Sequence, residues 1–177
     1  MNKTSKMVYI SLLVAQALVL SLFERMIPVP FIMPGAKLGL ANIIIVIGLY
    51  TLDSYKETFL VIILRNILST IFGGNLSSFM FSLAGSIFSF LIMVVIKELF
   101  KEKVSIIGVS SAGGVFHNIG QLTVAAFIVK NIGVTLYLPI LSMAGIATGI
   151  FVGLTGNIVV RHLKKLPQFR SREVIKS

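Results

Sequence analysis

Long apolar runs, separated by short charged or Gly/Pro-bearing stretches, organise this chain from end to end. The runs show neither the alternation of a half-buried strand nor the one-sided stripe of a helix packed in water. They are apolar all round, which is the pattern of helices that lie in hydrocarbon. Six fit the sequence: about 7–23, 38–52, 58–72, 76–96, 104–129 and 134–160. The first ends at Glu24-Arg25 and the third at Gly73-Gly74-Asn75. The second is short enough to need help from its flanks. Between the first two runs, Pro28, Pro30 and Pro34 disfavour a continuous helix and suit an extended, partly buried loop over 27–35. The expected fold is all-α, a polytopic membrane bundle of about six transmembrane helices. It forms one domain over 1–160, followed by a basic tail over 161–177.

Composition strengthens this reading. Charged residues make up 12% of the 177 and hydrophobic ones 56%, whereas a soluble domain carries roughly 25% charged residues. Too little polar surface remains to cover a particle in water. Lys3 and Lys6 precede the first run as in a signal peptide, but no convincing small-x-small cleavage site follows the apolar stretch before Glu24-Arg25. The run therefore reads as a retained first span.

The net charge of +10 raises the question of nucleic acid, and the positions of the charges answer it. With six spans and the N-terminus inside, one face receives Lys3, Lys6, Lys56, Lys97, Lys101, Lys103, Arg161, Lys164, Lys165, Arg170, Arg172 and Lys176. The other receives Arg25, Lys37 and Lys130, and Arg65 falls within a span. Twelve against three of the 16 basic residues is a strong positive-inside bias. It predicts a cell-membrane protein with both termini cytoplasmic, and the partner of the charge is the bilayer, with no nucleic acid implied.

Small residues recur at helical spacing. Gly145, Gly149 and Gly153, with Gly156 one turn on, and Ser82 with Ser86, suit close helix packing within the bundle. Ser11 with Ala15, and Ala17 with Ser21, form a similar face on the first span, where docking of a partner membrane subunit is the expectation.

Polar groups at membrane depth carry the candidate chemistry, because each is costly there. Arg65 lies near the middle of the third span. The acids Glu24, Asp53, Glu57, Glu98, Glu102 and Glu173 all fall at span ends, in loops or in the tail. An arginine so placed snorkels, bonds to backbone carbonyls and Asn66, or faces a cavity that receives an anion. Glu24 is its expected counter-ion in the empty state. His117 and Gln121 share one helical face, with Asn118 about 100° away. Span direction puts Asn42 in the outer half and Lys37 at the outer mouth. Lys37, Asn42, Arg65, Asn66, His117, Asn118 and Gln121 are thus the expected lining of a cavity beneath the Pro-rich loop.

Other chemistries lack their residues. There is no cysteine, so thiolate metal sites and cysteine nucleophiles are excluded. No Walker A sequence is present, nor any cluster of aspartates to hold Mg²⁺ and a diphosphate. His117 has no carboxylate or thiol beside it in sequence. No catalytic residue, metal or cofactor is expected.

Pro34-Gly35-Ala36-Lys37-Leu38-Gly39-Leu40-Ala41-Asn42, Phe72-Gly73-Gly74, Ser82-Leu83-Ala84-Gly85 and Gly114-Val115-Phe116-His117-Asn118-Ile119-Gly120-Gln121 resemble the Gx transporter family, often labelled heptaprenyl diphosphate synthase component I. That family is similar in layout to the S components of energy-coupling factor transporters. The resemblance implies a six-helix bundle that binds a small nutrient from outside, with the first outer loop as a lid. It also implies a separate transmembrane coupling subunit and ATPases as partners. Such subunits often dock through Ala-x-x-x-Ala on the first helix, where this chain has Ser11/Ala15 and Ala17/Ser21. The expected function is a substrate-binding transporter subunit for a small, anionic nutrient or cofactor precursor. The alternative is an accessory subunit in heptaprenyl diphosphate or menaquinone side-chain synthesis.

Overall fold

The computed structural model describes residues 2–26, 37–166 and 169. The lid expected of the Pro-rich stretch 27–35 and most of the basic tail lie outside them. Six α-helices follow in order: α1 (Lys3–Glu24), α2 (Asn42–Thr51), α3 (Tyr55–Ile71), α4 (Leu76–Phe100), α5 (Ile106–Val129) and α6 (Leu138–Lys164). Short 3-10 turns, Lys101–Lys103 and Ile132–Tyr137, follow α4 and precede α6.

Local chemistry sets the boundaries. Ser54 and Glu57 form a reciprocal capping box at the start of α3. Asn75 accepts from the Ser78 N–H at 2.7 Å and opens α4, and Ser105 accepts from the Gly108 N–H at 3.2 Å and opens α5. Gly73, at φ +118°, makes the turn between α3 and α4.

The second predicted span needs correction. Helix begins at Asn42 rather than at 38, because Gly39 takes φ +88° and the chain turns there. With 10 residues, α2 is about 15 Å long, half of a hydrocarbon core of about 30 Å. The 17-residue α3 is also short. Four of the six helices, α1, α4, α5 and α6 with their 3-10 extensions, are long and apolar enough to cross a membrane.

Short α2 is the centre of the bundle. Ile43, Ile44, Ile45, Val46, Ile47 and Leu49 are all buried. Around them pack Leu13, Val14 and Ala17 of α1, Val61 and Ile62 of α3, Phe90 and Met93 of α4, and Val152 of α6. The α4–α5–α6 side is held by glycines at backbone contact. A Cβ on Gly114 would stand 2.1 Å from the Gly145 carbonyl oxygen, one on Gly149 2.6 Å from Ser111 Cα, and one on Gly153 2.7 Å from Ile107 Cα. The Gly145/Gly149/Gly153 stripe is therefore spent inside the bundle, where close van der Waals approach substitutes for a hydrophobic driving force.

Outside, the polarity is reversed relative to a soluble protein. Val8, Leu12, Val19 and Phe23 of α1 are exposed, as are Ile140, Met143 and Phe151 of α6. Arg65, Asn66, His117, Asn118 and Gln121 are buried. Apolar side chains facing out and polar ones facing in is the arrangement that hydrocarbon solvent dictates. The start of α1 and Phe169 share one end of the bundle, where the Tyr9 and Phe169 rings meet at 5.2 Å between centroids. There Lys6 pairs with Asp53 at 2.8 Å and Glu57 at 3.0 Å, and Lys97 donates to the Leu49 carbonyl at 2.7 Å. Glu24 and Lys37 belong to the opposite half.

Candidate functional site

The segment from Lys37 to Ala41 descends into the bundle without helical structure, so its backbone needs partners from elsewhere. Two side chains supply them. Gln121 of α5 accepts from the Lys37 N–H at 3.1 Å and donates to the Lys37 carbonyl at 2.8 Å. Glu24, the last residue of α1, accepts from the N–H groups of both Gly39 and Leu40. The segment is strapped between α1 and α5.

Arg65 lies beneath the strap. Its guanidinium donates to Ser21 Oγ at 3.3 Å, to Asn66 Oδ1 at 3.4 Å and to Ser86 Oγ. The Ser86 hydroxyl in turn donates to the Ser82 carbonyl at 2.6 Å. Arg65 Nε has no partner although it is buried. Among the described residues no carboxylate lies within 4.0 Å of the guanidinium. Glu24 acts on Arg65 from further away, with its Oε1 already committed to the strap.

Charge in this interior does not balance. Arg65, Lys37 and Glu24 are 3%, 5% and 2% exposed. Two cationic side chains against one carboxylate leave an excess of at least one positive charge. Burial lowers the pKa of Lys37 to about 8, helped by repulsion from Arg65 and opposed by Glu24, so its ammonium persists at neutral pH.

The His117 ring sits between two glycines. A Cβ on Gly85 would stand 2.7 Å from the ring and one on Gly39 3.1 Å from it. Its Nε2 is bonded to Gln121 Nε2, and its Nδ1 is buried without a partner. On the other side of Gly39, Asn42 donates to Ser89 Oγ at 3.4 Å.

The structure brings Lys37, Asn42, Arg65, His117 and Gln121 to one interior, around the strap. Asn66 supports Arg65 while its amide donates to the Ile62 carbonyl at 2.8 Å. Asn118 faces α6 instead, donating to the Leu141 carbonyl at 2.6 Å. Ala17 and Ser21 are buried inside the bundle, and only Ser11 and Ala15 of the four docking candidates lie on its outer surface. Ser86 serves Arg65 as well as packing. Ser89 and Ser110 belong to the same interior and were not singled out in the sequence, although 82, 86 and 89 already share a helical face. Among the described residues no three His, Cys, Asp or Glu side chains cluster as metal ligands would.

Fold and interior together define a helical membrane protein whose buried polar centre carries surplus positive charge. Residues 13–159 match the family described as heptaprenyl diphosphate synthase component I, and the chain belongs to that family, which the Gly- and His-bearing stretches already resembled under its Gx transporter name. Neither the curated proteins nor the solved structures compared with the chain include a significant match.

Proposed function

We propose that this chain is the substrate-capturing membrane subunit of a transporter, which takes a small anion from the outer face of the cell membrane. The observation that carries this reading is the charge excess around Arg65, with its unpartnered Nε. A buried arginine without a carboxylate partner is stabilised when an anionic ligand supplies one. Among the described residues, the side chains that hold the strap from Lys37 to Leu40 are Glu24 and Gln121, and its remaining backbone bonds go to the first turn of α2, so it can open with the rest of α2 intact. The distribution of lysines and arginines supports cytoplasmic termini, which turns the strap outward. Ser11 and Ala15, exposed beside Val8 and Leu12, offer a face for a transmembrane coupling subunit that works with separate ATPases. The subunit binds and does not catalyse.

The family description favours a second reading, an accessory membrane subunit of heptaprenyl diphosphate synthesis. There Arg65 and Lys37 would meet the diphosphate head of an isoprenoid. Purification of the tagged chain in mild detergent, with mass spectrometry of co-eluting proteins, separates the two. A coupling subunit with ATPases supports the transporter reading, and so does loss of uptake of one nutrient on deletion. A prenyl synthase at stoichiometric level, with uptake unchanged, would sink it.

A further inference from the structure

Below the strap, a seam runs between α2, α4, α5 and α6, bounded by Gly39, Asn42, Ser89, Met93, Ser110 and Gly149. Its slots are narrower than a water molecule, so the walls must part before a ligand group enters. Two polar atoms on its wall, Asn42 Oδ1 and Ser110 Oγ, are buried and have no hydrogen-bond partner. Each residue is more than nine-tenths buried. Unpaired buried oxygens are costly and rare, and two that border one seam point to a group that is supplied from outside the chain.

The seam adjoins the anion site. Ser86, which accepts from Arg65, and Ser89, which accepts from Asn42, are three residues apart on α4. That spacing keeps them on one face and separates them by roughly 4.5 Å along the axis. The roof is the strap itself, where Gly39 has no Cβ to fill the space against Asn42 and His117. The floor is apolar, formed by Met93 and Val152.

We infer that this seam is the deeper half of the ligand site and takes a neutral hydrogen-bond-donating group, a hydroxyl or amide N–H. That group is carried about one helical turn away from the anion that meets Arg65. The inference rests on the capture reading above and narrows its substrate class to a small hydroxylated or amide-bearing phosphate or carboxylate. An isoprenoid chain fails here, since a hydrocarbon would press on Asn42 Oδ1 and Ser110 Oγ and leave both unpaired. Entry requires Leu38 and Gly39 to swing outward, which releases the bonds to Gln121 and Glu24 and, at the first turn of α2, the Asn42 N–H bond to the Gly39 carbonyl.

The test uses the full chain in mild detergent and two matched pairs of probes: glycerol 3-phosphate with propyl phosphate, and glycerate with propionate. Affinities are read by calorimetry and thermal stabilisation for wild type, Ser110→Ala and Arg65→Gln, with geranyl diphosphate as a fifth probe. We expect wild type to prefer the hydroxylated member of at least one pair by about tenfold or more. Ser110→Ala should lower that ratio several-fold, with Asn42 Oδ1 left as the remaining acceptor, while melting no lower than wild type, since it removes an orphaned hydroxyl. Arg65→Gln should weaken both members alike. Equal binding within both pairs, still dependent on Arg65, would overturn the seam assignment and leave the capture reading standing. An unchanged ratio in Ser110→Ala would do the same. Binding of geranyl diphosphate alone, or of none of the five probes, would overturn both.

Discussion

The side-chain amide of Gln121 closes a two-bond ring with the backbone of Lys37, accepting at 3.1 Å and donating at 2.8 Å. Through it, a residue in the middle of a long helix fixes a non-helical strand of chain that would otherwise expose unpaired peptide groups in the membrane. Replacing Gln121 by Leu removes both partners at once. Each orphaned group costs roughly 1–3 kcal/mol. The melting temperature in detergent should fall, and amide exchange should rise at 37–40 while the α4–α6 helices keep their protection.

Glu24 has two jobs that a single substitution separates. Its carboxylate holds the Gly39 and Leu40 N–H groups and offsets the charge of Arg65 and Lys37. Glu24→Gln keeps an acceptor but removes the charge. Anion affinity should rise several-fold, while thermal stability without ligand falls because two buried cations lose the negative charge of Glu24 that acts on both. A fall in both would show that Glu24 acts on the strap alone.

Lys37 gives the site a pH dependence with opposite signs for binding and folding. Its pKa is lowered to about 8, first by burial and then by Arg65. As pH rises from 7 to 9 the ammonium is lost, the surplus charge shrinks, and anion affinity should drop. Folding runs the other way. The unfolded lysine titrates near its ordinary value of 10.5, so between about 8 and that value the unfolded chain binds the extra proton, and stability gains as pH rises. Lys37→Met should flatten both profiles over this window, as calorimetric titrations and melting curves at pH 7, 8 and 9 will show.

Much of this architecture is legible in the amino-acid order. Apolar runs locate six helices, and the Gly145/Gly149/Gly153 stripe identifies the face of α6 that meets α5. Arg65, His117 and Gln121 stand out as polar residues at depth, and all are interior. The onset of α2 is not legible, because Leu38, Leu40 and Ala41 are as apolar as the helix they precede, and it is the positive φ of Gly39 that turns the chain. Partner choice is equally hidden. Ser21 reads as a small docking residue and Ser86 as a packing residue, yet both accept from Arg65. Glu24 reads as the counter-ion of Arg65, yet its closest bonds go to backbone N–H groups. A serine at helical spacing looks alike whether its hydroxyl serves packing or a guanidinium, and only tertiary proximity decides.

The glycine contacts make a stability prediction independent of any ligand. A Cβ on Gly114 would lie 2.1 Å from a backbone oxygen of α6, which has nowhere to move, whereas one on Gly108 meets the tip of the Val104 side chain at 2.9 Å. Gly114→Ala should cost about 3 kcal/mol or more and yield little monodisperse protein. Gly108→Ala should be neutral or slightly stabilising, because Ala is the better helix former by about 1 kcal/mol. Size-exclusion profiles and melting curves compare them directly.

The central claim is that Arg65 holds an anionic small molecule. Wild-type and Arg65→Gln protein, purified side by side in mild detergent and matched for elution profile, can be extracted and their small-molecule content measured by mass spectrometry. We predict an anionic compound near one per chain in wild type, depleted about tenfold or more in Arg65→Gln. Identical content in the two proteins, or no anionic compound in either, would contradict the account.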